Sequence, residues 1–353
     1  MTEEQDMRVG DFAADVMTDL ERLRRWCSRN LSGVDFELLG EPEPLSGGLL
    51  NHVWKVPASP TPLVFKWSPP YVASAPEIAL DPGRSGFEVR ALTYLADAPE
   101  MRSFARDAGV SAATLVGATS SPWVVVTEHV EAVGDISQAC TSEGFIRDAE
   151  RLGQWLATLH DSTSLQREVS RDLSSSMNNL AVQQTRAEVQ YGALADWLDA
   201  REEPVAAKAL RTLGARFLEP GECLVMGDLW PPSVLVTARD RLVVIDWEFS
   251  HYGHPAQDIG HLCAHFWSRW QRTGERRSRE QLDAFLSGYA SRRALSADAV
   301  RCSRQHFGAE ILARTVGAFA TQEIDDEGVE NLVRDAIIHT IASCERGCFN
   351  LVL

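Results

Sequence analysis

The apolar residues of this chain change period along its length, and that change constrains the fold more than any other feature. Runs rich in β-branched and aromatic residues at Phe36 to Leu39, His52 to Val56 and Leu63 to Trp67 are punctuated by turn residues such as Pro44-Leu45-Ser46-Gly47-Gly48. That is the pattern of a hairpin-rich antiparallel sheet. A Pro- and Ala-rich loop from Pro69 to Pro82 precedes helical spacing through Phe87, Ala91, Tyr94 and Leu95, so one helix interrupts the sheet before Trp123 to Thr127 restores a strand. From Ile146 onward the period is helical, with Leu152, Trp155, Leu156 and Leu159 on one face and a polar stretch from Ser174 to Asn179. Ile259, Leu262, Cys263, Phe266, Trp267 and Trp270 mark a further amphipathic helix. The chain reads as α+β, a β-rich region over 1–127 followed by a mainly helical region over 128–353. At 353 residues it exceeds what one core organises, so two lobes with a ligand cleft between them are expected.

One stretch of the helical half breaks the pattern. Val234-Leu235-Val236-Thr237 and Leu242-Val243-Val244-Ile245 flank the polar turn Ala238 to Arg241 and read as a β-hairpin. Asp228 lies just upstream of it and Asp246 directly after, so pairing of the two strands brings both carboxylates to the same end. Phosphoryl transfer needs hard oxygen ligands for magnesium and a carboxylate that orients the attacking hydroxyl, and such a hairpin supplies both. Taken alone, two carboxylates on a hairpin are surface charges or turn caps more often than they are a site.

Composition removes several classes of function. A net charge of -16 opposes nucleic acid and anionic lipid, both bound through clustered Lys and Arg, and no apolar run approaches a membrane span. The acidic, polar start lacks the features of a secretory signal, and a cytoplasmic protein is expected. Seven cysteines contain no CxxC pair, and the closest two, Cys344 and Cys348, are read as reduced thiols one helical turn apart. No GxxxxGK[ST] is present, so a P-loop mechanism is not supported, and no histidines stand at HExxH spacing. His160 and His261 are read as structural, and Trp230 and Trp247 as core or as pocket walls.

Five segments in order, LSGGLLNHVWKV at Leu45 to Val56, VFKWSPPYV at Val64 to Val72, RSGFEVRAL at Arg84 to Leu92, LVMGDLWPPSVLV at Leu224 to Val236 and VIDWEFSHYGHPAQDIG at Val244 to Gly260, carry a resemblance over nearly the whole chain. It resembles the aminoglycoside phosphotransferase and choline kinase superfamily, and within it methylthioribose kinases and fungal hydroxytryptamine-type kinases. The resemblance implies a two-lobed protein-kinase-like fold and transfer of the γ-phosphoryl group of ATP, with Mg2+, to a hydroxyl of a small metabolite, sugar or alcohol. It implies Asp228 as catalytic base, Asp246 and Glu248 as magnesium ligands, and Asp258 as a structural aspartate. Lys66 would reach the ATP phosphates, oriented by an ion pair with Glu88; without the resemblance, Lys66 is a solvated strand residue. Ser46, Gly47 and Gly48 form a turn open to phosphate, and the backbone of Glu128 and Val130 falls where the interlobe hinge meets adenine.

The chain departs from the pattern at two positions. Met226 replaces a histidine, and Ser233 stands where most relatives place an asparagine ligand for a second magnesium; it is kept as a metal ligand because methylthioribose kinases resemble this chain there. Arg314 matches an arginine near the sugar in those kinases, which favours hydroxyl-rich or anionic acceptors, and a helix-surface arginine is the alternative. Trp230 and Arg314 are the acceptor-side candidates. The second reading of the whole chain is a catalytically silent nucleotide-binding regulator, motivated by Met226 and Ser233. Monomer and homodimer are equally compatible with the sequence.

Overall fold

The computed structural model describes residues 12–31, 33–46, 48–138, 142–167, 170–318, 320 and 326–342. Two compact units emerge, Met1–Asp97 with Ala112–Glu131 and Ala98–Ser111 with Ala132–Leu353.

In the first unit an antiparallel sheet runs in the order Glu43–Pro44, His52–Val56, Leu63–Trp67, Trp123–Glu128, Leu115–Ser120. Strand alternation divides its residues between two faces. Leu63, Phe65 and Trp67 point into a core shared with Trp54, Val56, Val124, Val126 and Phe12. Helix Leu20–Asn30 closes that face with Leu23, Trp26 and Cys27, and its first turn is capped by Asp19, which accepts from the Arg22 N–H at 2.9 Å. Lys66, between Phe65 and Trp67, is left for the opposite face. The Phe36 to Leu39 run yields only Glu37–Leu38, paired with Ala58–Ser59 apart from the main sheet.

The Pro- and Ala-rich stretch is more ordered than its composition suggests. It holds a second hairpin, Tyr71–Val72 with Ala75–Ala79. Just beyond it Arg84 opens helix Arg84–Asp97 and is fully buried. Its guanidinium donates to the carbonyls of Leu50, Pro69, Leu80 and Asp81 and to Asn51 Oδ1. A buried charge is tolerable when backbone dipoles solvate it in this way. The helix that carries Glu88 is thereby fixed to the sheet.

Residues 98–111 group with the second unit because strand Val110–Ala112 joins the sheet ordered Ala132–Asp135, Val234–Thr237, Leu242–Val244, Val110–Ala112. The division at Glu131/Ala132 therefore follows strand pairing rather than sequence order. Helices Ser142–Ser162 and Arg276–Arg292 pack at close range through glycines. A Cβ on Gly153 would sit 2.1 Å from the Phe285 carbonyl oxygen, and one on Gly288 would sit 2.2 Å from that of Glu150. Helix Ala256–Thr273 packs against Ala297–Thr315. The polar stretch from Ser174 to Asn179 begins inside a helix, Ser170–Ser176, and leaves it at Met177. Among the described residues, no helix is long and apolar enough to cross a membrane.

The hairpin is present, with Val234 opposite Val244 and Val236 opposite Leu242. A second ladder, invisible in the sequence pattern, pairs Cys223–Val225 with His251–Gly253. The chain thus leaves and returns at one place, so the segment from Met226 to Ser250 is anchored at both ends.

Candidate active-site residues

Asp228 follows a turn that only glycine can make. Gly227 has φ of +87°, and a Cβ there would lie 2.4 Å from the Phe249 carbonyl oxygen, so the Asp228 loop and the loop after Asp246 touch backbone to backbone. Asp258, fully buried, accepts from the N–H of Met226 at 2.8 Å and of Gly227 at 2.9 Å, and from His160 Nε2 at 3.2 Å. Burial pushes its pKa up, but the bonds from His160 and the two amides outweigh burial and hold the carboxyl below its usual range. Burial also lowers the His160 pKa. A neutral ring donating from Nε2 and accepting the Tyr289 hydroxyl at Nδ1 (3.0 Å) satisfies every group in the chain. The Gly227 carbonyl receives two donors, Arg186 Nη1 at 2.6 Å and Gln257 Nε2 at 2.7 Å.

Asp246 and Glu248 sit on the adjoining loop. Ile245 N–H donates to the Ser233 carbonyl at 2.9 Å, extending the hairpin to the residue before Asp246. Asp246 is exposed and has φ of +66°, a left-handed conformation that aspartate tolerates better than most residues but that still costs about 1 kcal/mol or more. Glu248 is 4 % exposed, and Asn179 Nδ2 donates to its carbonyl at 3.0 Å and to that of Ser250 at 3.2 Å. Two carboxylates on one short loop are the hard donors that suit magnesium. The hydroxyl of Ser233 is engaged locally, donating to the Trp230 carbonyl at 2.8 Å and accepting from the Trp230 N–H at 3.3 Å, which closes the 3₁₀ turn Pro231–Ser233.

Arg314 is not a surface residue. It is 7 % exposed, and its guanidinium bridges Asp228 Oδ1 at 3.0 Å and Glu310 Oε1 at 2.7 Å while lying 4.8 Å above the Trp230 ring. The two carboxylates keep its charge in place despite burial, pushing its pKa above the ordinary arginine value. Glu310, itself buried, also meets His265 Nε2 at 3.1 Å, and Arg314 with its histidine neighbours holds it well below the usual carboxylate range although burial opposes this. The structure thus joins Asp228, Trp230 and Arg314 in one cluster. Trp247, in contrast, is core: fully buried, edge-on to Trp155, with Nε1 donating to the Val244 carbonyl.

In the first unit, Lys66 Nζ and Glu88 Oε2 form an ion pair of 2.6 Å with side chains 8 % and 4 % exposed. Ser46 and Gly48 are exposed, and Gly47 lies outside the described residues. The Glu128 N–H is bonded to the Thr114 carbonyl (3.0 Å) and that of His129 to Pro62 (2.8 Å), so both are consumed within the unit.

Sequence reasoning missed Arg186, Gln257 and Glu310 on helices and Asn179 just before one, whose polar side chains carried no signal until their partners were known. It also missed a meeting of His254, Asp298 and Cys302, whose ligand-type atoms lie within 4.8 Å of one another. There His254 Nδ1 accepts the Ala256 N–H at 3.2 Å, which leaves the proton on Nε2, and Arg216 donates to Cys302 Sγ at 2.8 Å. The cluster is a hydrogen-bonded tie, with no lone pair offered by the imidazole. Cys27, Cys223, Cys263 and Cys302 are buried free thiols, and burial pushes that of Cys27 up to about 12; Cys344 and Cys348 lie outside the described residues.

The family model described as "Phosphotransferase enzyme family" matches residues 41–295, well over half of the chain. The chain belongs to that family. A 4-hydroxytryptamine kinase of Psilocybe cyanescens is 24% identical over 276 residues, covering 70% of this chain and 73% of that protein. Among solved structures, a Ralstonia eutropha protein assigned as an aminoglycoside phosphotransferase superposes with a TM-score of 0.55 at 18% identity, over 93% of this chain and 98% of the other. A choline kinase of Streptococcus pneumoniae gives 0.50 at 16% identity, over 91% and 98%. These likenesses show the fold, a small antiparallel sheet region followed by a mostly helical part.

Two predictions follow for this phosphotransferase. Glu88→Gln removes the carboxylate 2.6 Å from the buried Lys66 ammonium and destabilises the protein by about 1.5–3 kcal/mol, whereas Lys66→Met with Glu88→Leu loses less; a double-mutant cycle in urea measures the difference. The second concerns His251, which is fully buried with its pKa lowered to about 4 by burial, against the opposing effect of its bond to the Phe249 carbonyl. Its unfolded form binds a proton below about pH 6.5 while the folded form does not until about pH 4, so stability falls as pH drops through that window. In His251→Gln, the stability difference between pH 7 and pH 4, read by denaturant unfolding, shrinks by roughly 3 kcal/mol relative to the parent.

Proposed function

We propose that the protein is an ATP-dependent small-molecule kinase that phosphorylates a hydroxyl, with Asp228 as the base. The observation that supports this reading best is the locking of the Asp228 loop to the Asp246–Glu248 loop through Gly227, Phe249 and Asp258. A base must be held in one orientation to direct a hydroxyl at phosphorus, and metal ligands must share its frame. In the reaction the acceptor oxygen forms a bond to the γ-phosphorus, the bond from that phosphorus to the β,γ-bridging oxygen breaks, and the hydroxyl proton passes to the Asp228 carboxylate. Lys66, held by Glu88, would neutralise phosphate oxygens. Asp246 and Glu248 would hold magnesium, which when bound offsets charge on the transferring group. Ser233 would contribute through the lone pair that its turn leaves over. The acceptor is a small alcohol; because Arg314 places a positive charge beside Asp228, polyhydroxyl or anionic acceptors suit the cluster better than ones with a cation next to the reacting hydroxyl.

The test is ATP consumption with magnesium across a panel containing hydroxytryptamines, choline, methylthioribose, homoserine and aminoglycosides. Turnover with one acceptor and a loss of about 10²–10⁴-fold in kcat in Asp228→Asn is the expected result. Asp246→Ala is expected to remove magnesium-dependent nucleotide binding by calorimetry, with Ser233→Ala losing less. Nucleotide-induced thermal stabilisation with no turnover on any acceptor would favour the silent-regulator reading instead.

A further inference from the structure

Arg186 ends helix Leu180–Arg186 at the point where the next turn, Ala187–Gly192, widens to π-helical geometry. Such a turn inserts a residue into the helical repeat and re-aims the side chains around it, and it recurs at functional sites. The Arg186 side chain is buried at 7 % exposure, its guanidinium centre 5.3 Å from the Phe217 ring centroid and 5.0 Å from that of Phe249. Nε donates to Gln190 Oε1 at 3.3 Å, and Nη1 donates to the Gly227 carbonyl at 2.6 Å. The same carbonyl accepts from Gln257 Nε2 at 2.7 Å.

That oxygen belongs to the peptide unit whose nitrogen is Asp228's own. A peptide is planar, so fixing its oxygen fixes the plane from which the Asp228 Cα–Cβ bond departs. Asp258 grips the two preceding amides, and the left-handed Gly227 between them is the residue with most freedom to turn. Without a donor on its oxygen, the peptide after Gly227 is the loosest link in the loop. Nothing in the direct chemistry requires a buried guanidinium there, 41 positions away in sequence. We infer that Arg186, assisted by Gln257, is a positioning residue that sets the direction of the Asp228 carboxylate by holding the Gly227–Asp228 peptide plane. The inference rests on Asp228 being the base.

The experiment uses the full chain. In Arg186→Ala, kcat is expected to fall about 10²-fold with KM for Mg·ATP unchanged, the signature of a misdirected group rather than a lost binding contact. Millimolar guanidinium should restore kcat by filling the slot between Phe217 and Phe249, while an equal concentration of sodium chloride should not. Gln257→Leu, which removes the other donor and keeps its volume, is expected to give a smaller loss of the same kind and covers the case in which Arg186→Ala does not fold. Amide exchange read by mass spectrometry over residues 226–230 should quicken in each variant and, in Arg186→Ala, slow again with guanidinium. This readout needs no turnover. Retained kcat in the variants of an enzyme that Asp228→Asn inactivates overturns the inference and leaves the proposed function standing. A parent with no turnover on any acceptor, but with exchange over 226–230 responding as stated, removes the proposed function and leaves Arg186 holding the loop. Unaltered exchange over 226–230 overturns the inference in either case.

Discussion

The carboxylate of Asp258 is the fixed point of the second unit. It is fully buried, and a charge in that position survives only because two loop amides and a histidine N–H surround it. The dependence runs both ways. The amides of Met226 and Gly227 belong to a turn with no ladder partner of its own, and the carboxylate is what satisfies them. His160 can donate because Tyr289 occupies its other nitrogen, so helices Ser142–Ser162 and Arg276–Arg292 enter the same circuit. The glycine contacts that let these two helices approach also set how far Tyr289 reaches. A loop of a few residues is thus positioned by packing that begins well away from it in sequence.

In the first unit, Lys66 and Glu88 form a buried ion pair, and the helix bearing Glu88 is held by Arg84 on backbone carbonyls. In the second, Arg314 stands between Asp228 and Glu310, and Glu310 has histidine contacts besides. Two carboxylates flanking one guanidinium leave that cluster with enough negative charge that Arg314 need not be held by Asp228 alone. The pairing therefore keeps Asp228 oriented without making it the sole counter-ion of a buried cation.

What was legible in the sequence was local. The Val234–Thr237 and Leu242–Val244 hairpin could be read because both strands and their turn are contiguous, and its pairing sets Val234 and Val244, the ends that lead to Asp228 and Asp246, opposite each other. The ladder between Cys223–Val225 and His251–Gly253 could not, because three-residue strands with a long excursion between them give no periodic signal. The hairpin at Tyr71–Val72 was hidden by proline and alanine, which lower strand propensity without preventing pairing where backbone carbonyls are gathered by Arg84. Arg186, Gln257 and Glu310 looked like ordinary polar helix residues. Their burial depends on which helix lies opposite, a tertiary fact that hydropathy does not encode. Arg314 stood evenly between surface and site in the sequence, and its contact with Asp228 comes from the packing of helix Ala297–Thr315.

The two departures from the family pattern have different physical weight. At Met226 the loss of a polar side chain costs the loop little, because the ties that matter run through the backbone: the Met226 N–H to Asp258, and the next carbonyl to Arg186 and Gln257. An apolar side chain that is fully buried there adds packing without leaving a donor unpaired. At Ser233 the matter is one of capacity. A hydroxyl has one proton and two lone pairs; the turn takes the proton for the Trp230 carbonyl and one lone pair for the Trp230 N–H. An amide side chain in that place would offer a carbonyl oxygen and still have protons for the turn. One lone pair is left over, so on the proposed reading Ser233 would be a weak ligand beside the carboxylates of Asp246 and Glu248.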